Sequence, residues 1–262
     1  MKDCPRPGHA DYTAQVKYGG FQDAAGGGHF SGRLTAPLCI AGGLCKQWLA
    51  EMGIGIGAHI VQIGQKTVES FDFLSPRLDQ VGQLFPTLTA EAAERFQTVI
   101  ADARAAGDSV GGRIECAITG LPAGIGEPMF GGVENRIAQI VYGIPAVKAL
   151  TFGDPQPYGS ANNDIFIAED GTVHTATNHC GGILGGITNG MPVIFSVTVK
   201  PTPSIGMQQK TVSLSRMEEA DLAVKGRHDP CIVPRAVPVV EAAAAIAIFD
   251  LILGNTQTHR RK

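Results

Sequence analysis

The run VPVVEAAAAIAIFDLIL (237–253) constrains this chain more than any other stretch. It is apolar and Ala-rich, interrupted only by Glu241 and Asp250, and it is shorter than a comfortable membrane span. It therefore reads as a buried helix, and a helix apolar on every side needs neighbours on every side. A chain of 262 residues can supply them, as one large domain or two small ones. Directly in front stands RHDPCIVPRA, with Arg227, His228, Asp229 and Arg235 at the entrance to that helix. Such charge is unusual beside a core element and calls for an explanation.

Composition narrows the choices. Charged residues are 17% and hydrophobic ones 44%, which is globular rather than disordered. Thirty-four glycines imply many tight turns and close backbone approaches. A net charge of −3 gives no general case for nucleic acid, so an anion site has to be local. The six cysteines are scattered without a CxxC pair, which argues against a zinc knuckle or a disulfide framework and suits a reducing cytoplasm. No signal peptide precedes the first motif, and no membrane association is expected.

Periodicity gives the elements. After the glycine loop a helix is expected, with Leu34, Leu38, Ala41, Cys45, Trp48 and Met52 as its apolar face and Ser31 as N-cap. A Gly-rich strand follows (GIGIGAHIVQIG), then a helix capped by Thr89 and stopped near Gly107, then a strand in VGGRIECAITGLP. The stretch ENRIAQIVYGIPAVKAL reads as a helix broken at Gly143–Pro145. A hairpin is expected at Asp170–Gly171, strands in MPVIFSVTVKPTPSI and KTVSLSRMEEADLAVKG, the second with a helical alternative, and a frayed tail over 255–262. Helices and hairpins mix without a βαβ rhythm, so the class is α+β with antiparallel sheet.

Five clusters could carry chemistry. RPGHADYT (6–13) offers an anion clamp in Arg6 and a proton carrier in His9, or else a polar turn around Pro7–Gly8. GGGHFSGR (26–33) offers backbone donors at a helix start together with His29, Ser31 and Arg33, or else a flexible turn. GSANND (159–164) and TNHCGGILGGITNG (177–190) offer amides and glycines for a flat ring, or simple tight packing. His179 beside Cys180 has no second pair at ligand spacing, so no metal site is expected. KPTPS (200–204) is a rigid polar loop that could hold a phosphate or terminate an edge strand. Asp229 is a proton acceptor or a turn residue, and with its arginine neighbours an ordinary surface ion pair.

Taken in order, RPGHADYTAQVKYGGFQDAAGGGHFSGRLTA, NHCGGILGGITNG, KPTPSI and GRHDPCIVPRAVPVVEAA resemble chorismate synthase, from about Arg6 to about Leu253. The resemblance implies helices sandwiched between antiparallel β-sheets and a cytoplasmic homotetramer. It also implies a reduced-FMN-dependent anti-1,4-elimination of phosphate from 5-enolpyruvylshikimate 3-phosphate, with NADPH a candidate reductant. It assigns flavin contacts to His29, Phe30, Ser31, Ala161, Asn162, Gly185, Lys200, Pro201, Thr202, Pro203, Ser204 and Arg227. It assigns substrate contacts to Arg6, Arg33 and Arg235. His9 would protonate the reduced flavin, and Asp229 would sit near flavin N5 and help remove the substrate proton. The residue chemistry agrees. A phosphate and carboxylates call for fixed cations with bidentate reach, and an electron-rich flavin can stabilise an electron-poor transition state.

The same resemblance implies an upstream region of roughly a hundred residues in the family, with a Gly-x-Ser-His-Gly motif that does not occur here. Residues 1–262 then read as one domain lacking the family's N-terminal portion. The alternative is a catalytically impaired fragment that keeps the flavin-binding loops or only an oligomerising core.

Overall fold

The computed structural model describes residues 3–224, Gly226 and residues 228–259. Among the described residues six α-helices and eleven strands follow in chain order. A short helix α1 (Asp11–Lys17) precedes α2 (Ala36–Glu51), β1 (Gly55–Ile63) and β2 (Lys66–Thr67). Next come α3 (Ala90–Ala105), β3 (Gly112–Thr119), α4 (Val133–Val141), β4 (Val147–Phe152) and the single turn α5 (Gly159–Asn162). Two hairpins follow, β5 (Phe166–Glu169) with β6 (Thr172–Thr175), and β7 (Ile183–Leu184) with β8 (Ile187–Thr188). The chain continues through β9 (Val193–Val199), the hairpin of β10 (Gln209–Ser213) and β11 (Glu218–Leu222), and α6 (Val233–His259).

Strands β2-β1-β3-β9-β4 form one five-stranded sheet in which every pairing is antiparallel. The chain is thus α+β with antiparallel sheets. Both faces of the sheet are covered, so β3 and β9 read as near-continuous apolar runs rather than alternating ones. On one face lie α2, α4 and α6, packed on Ile114, Phe195 and Val197. The other face carries a smaller cluster of Phe71, Ala117 and Ile194, closed by Phe73, Leu78, Val81 and Leu88 from the segment after β2.

The run that opened the sequence reading lies inside α6. The helix as a whole, over Val233–Asn255, is long and apolar enough for a membrane span, yet most of it is buried among α2, α4 and the sheet. Phe195 and Ile248 both lie fully buried in this core, each contributing about 1.5–3 kcal/mol of transfer free energy. Glu241 explains one of the two charges in the run. Its Oε2 pairs with Lys46 of α2, and its Oε1 accepts the Ala58 N–H at 2.9 Å, a donor on β1. A carboxylate on a core helix thereby satisfies a strand edge that has no partner strand at that point. The helix continues to His259, so residues 255–259, expected as frayed tail, are helical.

Two expectations are corrected. The buried face of α2 is not Leu34, Leu38, Ala41, Cys45, Trp48 and Met52. Gly42 and Leu49 are its buried residues, with Leu38, Cys39 and Cys45 packed beside them. Leu34, Trp48 and Met52 are exposed, together with Ile40 and Leu44. The reason is steric. A Cβ on Gly42 would lie 2.4 Å from both Cα and Cβ of Ala242, so the face with no side chain is the one α6 can approach. Second, Val147–Phe152 is strand β4 rather than more helix, because Ala146 at φ 73° breaks the helical path after Pro145. Residues 218–222 are a strand, in line with the first reading of that stretch, and its helical alternative does not form. The Asp170–Gly171 hairpin forms as expected, with φ 49° and 76° at the two turn positions. Thr89 caps α3 by accepting the Ala92 N–H.

Candidate functional site

The N-terminal cluster is organised around Asp11, the first residue of α1. Its Oδ2 accepts Arg6 Nε–H at 2.7 Å and the Arg6 backbone N–H at 3.0 Å, and its Oδ1 accepts Arg6 Nη2 at 2.8 Å. This is a forked pair on an arginine only 6% exposed. Arg6 Nη2 also donates to the Gly26 carbonyl at 2.8 Å, and Nη1 donates to Ser204 Oγ at 3.1 Å. His9 Nδ1 lies 2.6 Å from Asp11 Oδ1 and 3.1 Å from Arg6 Nη2, and the Phe30 ring stands edge-on at 6.5 Å. Burial pushes the Asp11 carboxyl up, but the Arg6 hydrogen bonds outweigh it and hold the group at about 2. Burial, then the Arg6 charge, moves His9 below the usual imidazole range, against the pull of Asp11.

The glycine loop lies against this cluster. Gly26 and Gly28 adopt positive φ and turn the chain into two short 3₁₀ turns, Gly28–Phe30 and Gly32–Thr35, which lead into α2. Ser31 caps the second turn by accepting the Arg33 N–H at 3.3 Å. Ser31 is half-buried, and His29, Phe30 and Arg33 are exposed. The narrow cleft between this loop and His9 is about 10 Å³, room for roughly one water.

Residues 200–204 fasten the pieces. Lys200 follows β9 and its Nζ donates to the Gly8 carbonyl. Thr202 Oγ1 donates to the Asp229 carbonyl at 3.0 Å, while the Thr202 carbonyl accepts Ser109 Oγ at 2.7 Å. Ser204 receives Arg6, as above. One rigid loop thus holds the 6–11 cluster, the end of α3 and the approach to α6 in register. Asp229 Oδ2 lies 2.9 Å from Arg235 Nη1, within ion-pair distance but not aligned as a hydrogen bond. The Arg235 side chain is 81% exposed and lines a cavity of about 550 Å³ between α2, β1, residues 78–86 and the start of α6.

Not all expected residues are together. Ala161 and Asn162 belong to α5, where Asn162 Oδ1 accepts the Gln156 N–H at 2.8 Å. Gly185 turns the β7–β8 hairpin at φ 62°. Both follow the Phe152–Val193 end of the sheet, whereas Lys200 begins at the other end of β9. A seven-residue strand separates the two groups, about 20 Å at 3.3 Å per residue. Arg227 lies outside the described residues. Asp11 stands in RPGHADYT with no role that the octapeptide alone assigns, and nothing in the sequence marks Ser109 or the Gly26 carbonyl. The only signal for Asp11 was its place two residues after His9.

A family model described as chorismate synthase matches residues 1–253. A chorismate synthase of Lancefieldella parvula is 46% identical over 269 aligned residues, covering 96% of this chain and 71% of the relative. One from Thermococcus gammatolerans is 44% identical, covering 97% and 71%. A crystal structure of chorismate synthase superposes with TM-score 0.72 at 30% identity, covering 86% of this chain and 65% of that one. The chain therefore spans about two thirds of that solved protein. Sequence match and fold agree, and this chain belongs to the chorismate synthase family.

Proposed function

We propose that this chain works as a chorismate synthase, eliminating phosphate from 5-enolpyruvylshikimate 3-phosphate with the help of reduced FMN. One observation carries the reading: the loops at 6–11, 26–31, 200–204 and 229, far apart in sequence, are tied into one cluster by Arg6, Lys200 and Thr202. The donor set suits an anionic flavin. Lys200, Thr202, Ser204, His29 and Ser31 bring hydroxyls, an ammonium and an imidazole to one patch, with the Phe30 ring exposed beside them. When bound, reduced flavin supplies electron density to the electron-poor transition state.

The chain's own residues do the rest. His9 is a proton carrier held against Asp11. The Asp229 carboxylate, oriented through its own carbonyl by Thr202, serves as proton acceptor. Arg33 and Arg235 are exposed cations for the phosphate and carboxylates, and Arg6 sets the loops between them. Ala161, Asn162 and Gly185 lie too far along the sheet to share one flavin with Lys200 of the same chain. This supports a homo-oligomer in which a second copy brings them to the site.

The test is anaerobic turnover of the purified chain with reduced FMN, reading phosphate and chorismate in equal amounts. His9→Ala and Asp229→Ala should each cost about a hundred- to ten-thousandfold. Supplying NADPH in place of a chemical reductant reads whether the chain reduces its own flavin. A second reading, a flavin-binding chain without turnover, is favoured by the water-sized cleft at His9. Flavin binding without phosphate release would select it.

A further inference from the structure

Asp11 is half-buried at the centre of the cluster, its side chain 13% exposed, and takes no chemical step itself. We propose that Asp11 is a positioning residue. It fixes His9 in the tautomer that carries its proton on Nδ1, and in the same grip orients Arg6, so that Nε2 is the atom free to exchange protons with a bound cofactor or substrate. This rests on the reading of His9 as a proton carrier.

The argument is one of donors and acceptors. A guanidinium only donates and an ionised carboxylate only accepts. His9 Nδ1 faces one of each, Arg6 Nη2 at 3.1 Å and Asp11 Oδ1 at 2.6 Å. A bare Nδ1 at 2.6 Å from a carboxylate oxygen would set two lone pairs against each other. A protonated Nδ1 makes the shorter contact a charge-assisted hydrogen bond. Arg6 Nη2 loses nothing, since it already donates to Asp11 Oδ1 and Gly26 O. In the neutral ring, protonation at Nδ1 leaves Nε2 as the acceptor. Among the described residues nothing hydrogen-bonds to Nε2. The Asp11 carboxylate stays ionised at neutral pH, and its place in the first turn of α1 holds its direction. The charges around the ring are Arg6 and Asp11 from its own segment and Lys200 from across the loop.

The contrast with Arg6 and His9 is instructive. Removing either of those deletes a candidate contact to substrate or cofactor. Removing the Asp11 charge keeps both groups and should change only their state and aim. Asp11→Asn is isosteric. It replaces an acceptor-only group with an amide that can face His9 with either atom, so the tautomer is no longer dictated.

The decisive measurement is long-range nitrogen–proton correlation NMR of the imidazoles in the full chain, with His9 assigned by its loss in His9→Asn. The wild-type spectrum should show His9 protonated at Nδ1 and bare at Nε2. In Asp11→Asn the two forms should mix, and the His9 titration midpoint should fall by about one unit or more, since a carboxylate at this range favours the imidazolium. Where the chain turns over, Asp11→Asn should lower kcat about ten- to a hundredfold and move the pH profile with the His9 midpoint, leaving FMN binding unchanged. A wild-type His9 protonated at Nε2 overturns the proposal even if the variant does not fold. So does a folded Asp11→Asn with unaltered tautomer and midpoint. If the tautomer is as stated but His9→Asn releases phosphate at the wild-type rate, the proton-carrier reading of His9 falls while the fixing of the ring by Asp11 stands.

Discussion

Arg6 directs its donors at Asp11, Gly26 and Ser204, three points from three separate loops. Arg6→Ala would leave the half-buried Asp11 carboxylate without its main partner, and the expected loss is about 3–5 kcal/mol in urea unfolding. Arg6→Lys keeps the charge but cannot reproduce the fork, so it should restore less than half of that. Acid acts on the same residues. Asp11 and Asp164 both sit at about 2 when folded, against an ordinary 3.8. In each, burial is outweighed by hydrogen bonds, from Arg6 to Asp11 and from Cys180, Thr177 and His179 to Asp164. Their contribution is complete above pH 3.8 and is lost as pH falls through about 2. His9, shifted down, adds an earlier loss below about 6.5, where the unfolded ring takes a proton more readily. A stability curve flat from pH 8 to pH 3 would contradict this. The residue types here were readable from RPGHADYT, but which cation met which carboxylate was not. Five side chains within eight residues allow many pairings, and only the turn at Gly8 (φ 73°) and the start of α1 select one.

Among the elements, the contact between α2 and α6 depends on one missing side chain. Gly42→Ala would force its new Cβ to within 2.4 Å of Ala242, so the helices must separate. The expected cost is about 1–3 kcal/mol by thermal melting, more for Gly42→Leu, with Gly43→Ala as the harmless control because it has open space. This element also shows where periodicity stops informing. In α2 apolar residues occur on every side, so the pattern identifies a helix without selecting its inward face. Backbone proximity selected it, and a glycine carries no hydrophobic signal. By contrast α3, with Thr89 as cap and a halt at Gly107 (φ 68°), was legible end to end because capping and left-handed turns are local chemistry. Strand β4 was not. Its residues suit either state, and its identity comes from pairing with β9 across the sheet.

For the whole molecule, α2 presents Ile40, Leu44, Trp48 and Met52 to solvent at 70, 63, 60 and 55% exposure, a stripe with four-residue spacing. A single exposed leucine is ordinary, but a continuous apolar helix face is not. The chain should associate with rising concentration in sedimentation velocity, and Leu44→Lys should reduce that association without lowering the melting temperature. A sharply melting monomer that binds no apolar dye would count against this.

The order of synthesis adds a constraint that the folded form hides. Arg6 meets Ser204 across 198 residues, and Lys200 meets Gly8 across 192. Closing such long loops comes late, after the local helices have formed. A nascent chain stalled before residue 200 would already hold α2, α3 and the β1–β3 pair, yet have nothing to anchor its first loop. Residues 6–8 therefore leave the ribosome long before they can reach their final places, and the cluster forms only after residues 200–204 have emerged.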